Sequence, residues 1–277
     1  MLFRSRIMSA FHATFSVGGV VAALVGARAT SAGMGPAATL GAAGAAGIVI
    51  ALLPARGVLA TAPASPPPGP TAAERQRGPA AKRRTVPGRI WILSALALMC
   101  MLCEGAANDW SALHLKDILG APASTAAFAY GTFAATMTIG RLLADRLVAR
   151  FGSMAILRHG ATTAAVGITI VTVSPWIWAA FAGWALFGLG LSGCVPQLFS
   201  AAGHADPSAA GANVSRVAGL GYVGMLAGPA VIGWLTHLVA LNHAFVLLIL
   251  LCATTAVAAG ILRTDSDRTP EPAHSTH

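Results

Sequence analysis

The feature that most constrains this chain is a series of apolar runs, most of them close to 20 residues long, separated by short polar or basic stretches. Crossing an apolar bilayer core of roughly 30 Å takes about 20 helical residues at 1.5 Å each. Inside that core only helices and closed barrels satisfy their own backbone N–H and C=O groups. Eight segments reach the length: Ser9–Ala27, Ala32–Leu53, Ile90–Asn108, Pro122–Gly140, Leu157–Ser174, Trp176–Phe199, Val217–Thr236 and His243–Leu262. The second, dominated by Gly and Ala, is the least hydrophobic. Composition agrees: 56% of the 277 residues are hydrophobic and only 10% are charged, against about 25% charged in soluble domains. The expected fold is all-α and integral to the membrane, with about eight transmembrane helices.

Charge sorts the loops. With Arg4 and Arg6 in the cytoplasm and the chain alternating sides, sixteen of the 18 basic residues fall inside. Only Arg28 and Lys116 fall outside, the bias expected of cytoplasmic loops. Both termini are then cytoplasmic. The same sorting explains the net charge of +9 without nucleic acid. The run Lys82–Arg84 reads as a topology signal or a contact to anionic membrane lipid, because no aromatic residues interleave it as stacking platforms. Arg4 and Arg6 before an apolar run also imitate a secretory signal. That run is near 20 residues, longer than the roughly 7–15 of a signal, so a retained helix is expected.

Four domains follow: two transmembrane helices over 1–53, a cytoplasmic linker over 54–89, a six-helix unit over 90–262 and a cytoplasmic tail over 263–277. The linker holds PASPPPGP and RQRGPAAKRR, too rich in Pro, Gly and charge to bury a core. Cys100, Cys103, Cys194 and Cys252 lie in apolar runs and read as small packing residues; no metal site and no cofactor is expected. Gly41, Gly44 and Gly47, and the pair Gly224 and Gly228, have the spacing that lets membrane helices approach closely. Pro196 and Pro229 predict helix bends, since the carbonyls of Ser192 and Met225 lose their helical partners.

Glu104 is the acidic residue placed well inside a span. Its insertion costs on the order of 3 kcal/mol, so such a carboxylate marks an ion or substrate path, or is paired with a neighbouring helix. Asn108 and Ser111 share its helix face. Asp109 and Trp110 close that span, the Trp as an interfacial anchor or as a substrate contact. His12 and Gln197 are further candidates for a solute or proton pathway. Between two apolar runs stands GRLLADRLVARFG, Gly140–Gly152, in which Arg141, Asp145, Arg146 and Arg150 crowd an expected short turn.

That segment resembles the loop motif of major facilitator superfamily transporters, G-x-L-x-D-R-x-x-x-R in outline, matched by Gly140, Leu142, Asp145, Arg146 and Arg150. Further likeness, to a little-characterised bacterial branch with an outline similar to fucose permease, is carried by FHATFS from Phe11 and EGAANDWSALHLKD from Glu104. It continues in GLGLSGCVPQLFSAAG from Gly188 and GYVGMLAGPAVIGW from Gly221. The resemblance implies a partial superfamily fold, helices five to twelve of twelve, in a bacterial cytoplasmic (inner) membrane. It implies secondary transport of a small-molecule solute by alternating access, by a carrier lacking its first four helices, with proton coupling left open.

In that family the motif's Asp latches onto a helix N-terminus of the opposite half. Asp145 would thus meet the region of Met8 and Ser9, with Arg146 and Arg150 clamping the local fold. Alternatively, the motif only fixes its loop. The first span has no proline, whereas the superfamily's proton antiporters carry Gly-Pro there, which disfavours drug/proton antiport. Two other functions stand beside transport: a transporter-derived receptor or scaffold, and an intramembrane serine protease built on Ser192 and His243. The protease requires those two side chains to meet, and their spans place His243 at the outer edge and Ser192 deeper, on the inner side. No enzyme activity is expected.

Overall fold

The computed structural model describes residues 32–60 and 88–262, with the single positions 18, 21, 25, 28 and 29. Most of the first expected span, including His12, lies outside the described residues, as do Met8 and Ser9, residues 61–87 and the tail. Every described element is helical. The chain divides into two compact units, Val21–Val86 and the larger Met1–Val20 with Pro87–His277.

In the smaller unit, helix α1 spans Pro36–Ala60. Over Ala37–Ile50 it is apolar, with Leu40, Ile48, Val49 and Ile50 exposed, a pattern suited to lipid. The seam expected at Gly41, Gly44 and Gly47 is not formed among the described residues, since nothing lies within 4 Å of a Cβ built on any of them.

The larger unit crosses back and forth in six helical passes. These are α2 (Gly88–Leu113, continued by a π turn, His114–Ile118), α3 (Ala123–Phe151), α4 (Ser153–Val173), α5 (Ile177–Leu191) with α6 (Cys194–Ala205), α7 (Ala210–Leu235), and α8 (Leu241–Ala244) with α9 (Val246–Ala258). Five passes are long and apolar enough to cross a membrane: Gly88–Ile118, Ser153–Val173, Ile177–Ala205, Ala210–Leu235 and Leu241–Leu262. Helix α3 has the length, at 29 residues, but carries several threonines and four charges. Two of those threonines, Thr136 and Thr138, turn their hydroxyls back onto the carbonyls of Thr132 and Ala134, which keeps them compatible with an apolar surround.

Two sequence expectations are corrected. The segment Gly140–Gly152 is not a turn: α3 accommodates Gly140, meets no proline and no further glycine before Phe151, and only Gly152 makes the corner. At φ 80° and ψ 158°, Gly152 occupies a region essentially closed to other residues. The span Trp176–Phe199 is not continuous either, since Ser192 and Gly193 separate α5 from α6. Pro196 therefore falls in the first turn of α6, where an N–H has no helical partner to lose. Pro229 does lie inside a helix, α7.

Helix pairs meet through small residues. A Cβ on Gly224 would collide with the Leu98 carbonyl, one on Gly228 with the Leu102 carbonyl, and one on Gly105 with the Met225 carbonyl. Residue numbers rise together on α2 and α7, so these helices run parallel. The Met225 carbonyl is the one whose helical donor Pro229 removes, and the bare Cα of Gly105 rests against it. A second seam joins α4 to α5 in antiparallel fashion, through Gly160 with Gly190 and Gly167 with Gly183. Between the seams Phe133, Trp184, Phe187 and Phe245 fill the core. The cysteines are buried thiols, with Cys103 Sγ 3.9 Å from Cys252 Sγ.

If backbone approach holds α2 to α7, Gly228→Ala destabilises the protein by about 1–3 kcal/mol through overpacking. Gly219→Ala in the same helix meets open space and is neutral or stabilising by up to about 1 kcal/mol. Thermal unfolding in detergent separates the two, and equal effects would remove the seam from the account.

Candidate functional site

Helix α3 brings the charged motif into contact with the interior. Its buried positions Phe133, Met137, Gly140, Arg141 and Ala144 recur at helical spacing, so one stripe faces the bundle while Leu142, Asp145, Arg146 and Arg150 face outward. Counted from Ala123, Arg141 lies about 27 Å along the helix at 1.5 Å per residue, and Arg150 about 40 Å. An apolar core of roughly 30 Å is spanned by about 20 helical residues, fewer than the 29 of α3. Arg150 stacks its guanidinium over the Phe151 ring, 5.4 Å from the centroid.

Each inward motif residue has a definite task. Gly140 allows α3 to approach the break after α5, since a Cβ there would collide with Ser192 Oγ. Ser192 turns that hydroxyl onto the Leu189 carbonyl at 2.6 Å. Arg141 reaches across to α2, where its Nη2 donates to Glu104 Oε1 at 2.8 Å. Both are buried, Arg141 at 5% exposure and Glu104 at 6%.

The pair answers one question the sequence left open. Glu104 is matched to a neighbouring helix, which offsets the cost of holding a charge in an apolar interior. Arg141 is the partner that the motif outline passed over, because its position is unspecified in that outline. The available signal was its place one residue beyond Gly140, inside the apolar length of α3. Tyr130 stands within electrostatic range of both Glu104 and Asp109.

The remaining candidates are dispersed along the unit. Asn108 is half-buried and Asp109 exposed on α2. Trp110 donates its indole N–H to the Pro229 carbonyl at 3.1 Å and covers Gly233, so it ties α2 to α7. Gln197 is buried on α6. Ser192 and His243 are not joined: the serine hydroxyl is engaged by Leu189, while His243 lines an apolar pocket with Trp234 and Leu247. No group of three or more metal-ligating side chains occurs among the described residues.

Known proteins resemble the chain along its length. A sequence model described as Major Facilitator Superfamily matches residues 3–215 and, in an overlapping match, 106–277. An uncharacterized MFS-type transporter of Yersinia pestis is 35% identical over 257 residues, covering 91% of this chain and 63% of the relative. An uncharacterized transporter of Sinorhizobium fredii is 34% identical, covering 63% of this chain and 46% of its own length. Membrane protein MosC of Rhizobium meliloti is 28% identical, covering 66% and 45%. The chain thus spans less than two thirds of the length of each of these relatives. No solved structure matches it.

A buried ion pair broken on one side leaves a charge uncompensated, at a cost of about 3–5 kcal/mol, whereas removing both charges is nearly neutral. Arg141→Met and Glu104→Met are each expected to destabilise strongly, and the double variant to recover most of the loss. Additive losses in thermal unfolding would mean the two side chains do not act as a pair.

Proposed function

Because this chain belongs to the major facilitator superfamily, we propose that it serves secondary transport of a small solute across a bacterial inner membrane by alternating access. The observation that carries the reading is the Glu104–Arg141 pair. A carboxylate and a guanidinium held together at membrane depth form an element with two states, since a proton on Glu104 removes the charge that retains Arg141. Arg141 and Asp145 are one turn apart on α3. Release of the first is therefore felt at the second, where the family resemblance puts the contact between halves.

In this reading Glu104 couples transport to protons, Arg141 communicates the change along α3, and Asp145 with Arg146 and Arg150 holds the cytoplasmic gate. Asn108 and Gln197 line the solute path, with Asp109 and Trp110 at its outer end. The topology that goes with it places the motif and both termini in the cytoplasm, following the basic residues. The transporter names of the Yersinia and Sinorhizobium relatives support the same class of function.

The experiment is uptake of a panel of small polar solutes into proteoliposomes under an imposed pH gradient. Glu104→Gln is expected to lower proton-driven uptake by about 5- to 150-fold, the span of a coupling energy of 1–3 kcal/mol, while solute exchange without a gradient persists. Asp145→Asn is expected to lower exchange as well, because it acts on the gate. Equal loss of both activities in Glu104→Gln would assign the pair to stability alone. Uptake of no solute in any direction would favour a receptor or scaffold.

A further inference from the structure

At the end of α2, farther from the charged motif, the helix widens into the π turn His114–Ile118, closed by the amide of Leu119 on the His114 carbonyl at 3.3 Å. Such a turn inserts a residue, re-aims the side chains around it and is frequent at functional sites. Here it turns the His114 ring inward, at 0% exposure, against Phe245 at 5.5 Å and Trp184 at 6.2 Å between ring centroids. Neither nitrogen of His114 has a hydrogen-bond partner among the described residues, nor has the indole N–H of Trp184. Orphaned polar groups in an apolar core are costly and call for a partner.

Next to this ring, and bordered by His114, Ile118, Leu119, Thr172, Ser174 and Asn242, is a cavity of about 300 Å³. The cavity's hydrogen-bonding groups are disposed in a definite way. Asn242 Nδ2 donates to the Thr172 carbonyl at 3.3 Å, which fixes the amide and leaves Oδ1 to accept. Ser174 Oγ accepts from the Trp176 amide at 3.1 Å, which leaves its O–H to donate. No lining residue has a permanent charge, so an ion entering the site would find no counter-charge.

We propose that this cavity, between the π turn, the end of α4 and α8, is a binding site for a small uncharged ligand that both donates and accepts hydrogen bonds, with Asn242 and Ser174 as its principal contacts and the buried His114 ring beside them as its reporter. It lies ten residues from Glu104 along α2, about 15 Å, and does not depend on the proton-coupling role given to that residue.

The test is ¹⁵N-histidine NMR of the whole chain in lipid nanodiscs, with glycerol as the neutral probe. The expected result is a saturable shift of one ring signal, identified as His114 by its loss in His114→Phe, which keeps the aromatic packing. Asn242→Leu is expected to weaken the apparent affinity about tenfold, the worth of one good hydrogen bond. Ser174→Ala is expected to weaken it similarly while sparing the Asn242–Thr172 bond. A shift that never saturates, as when only water enters, overturns the proposal. So does a stronger response to acetate or ammonium, or a response unchanged in both Asn242→Leu and Ser174→Ala.

Discussion

The structure of the larger unit depends on how closely its helix backbones approach one another. Lipid tails are as apolar as the side chains they surround, so burial supplies little drive between membrane helices, and packing must come from close contact. Glycines meet this demand at Gly105, Gly224 and Gly228 between α2 and α7, and at Gly160, Gly167, Gly183 and Gly190 between α4 and α5. The two seams set where the aromatic core can form. They also leave α3 as the helix whose interior face is decided by one small residue, Gly140, and one charged residue, Arg141.

The motif is thereby divided into parts with different physics. Gly140 provides contact, Arg141 provides a buried ion pair, and Asp145, Arg146 and Arg150 are exposed toward the helix end. Gly152 provides the corner. A family outline that names Gly140, Leu142, Asp145, Arg146 and Arg150 captures the close contact and the outer charges, and passes over both Arg141 and Gly152. Burial explains the difference, because what Arg141 does depends on what α2 presents to it.

The all-helical membrane architecture was legible from segment length alone, and Gly224 and Gly228 were legible from spacing. Glu104 was visible because an acid in an apolar run stands out. Its partner was not, since Glu104 and Arg141 come together only through the packing of α2 on α3. The charge density of Gly140–Phe151 suggests a turn, whereas the stretch holds no proline and no glycine after Gly140, so the helix continues to Gly152. The break at Ser192 and Gly193 was missed for the converse reason: hydropathy runs through it without interruption, while Pro196 four residues on marks a helix start. His114 carried no signal in the sequence, where it is one histidine in a mixed stretch, and only the π turn and the rings of Trp184 and Phe245 distinguish it.

The single-residue corner at Gly152 has a mechanical consequence. Helices α3 and α4 are joined with no slack, so the end of α3 cannot slide along its axis without displacing the start of α4. Helix α4 in turn is keyed to α5 by interlocking glycines. The corner at Gly152 thus ties the charged end of α3 to two further helices, while Gly140 on α3 itself rests against the Ser192–Gly193 break that ends α5.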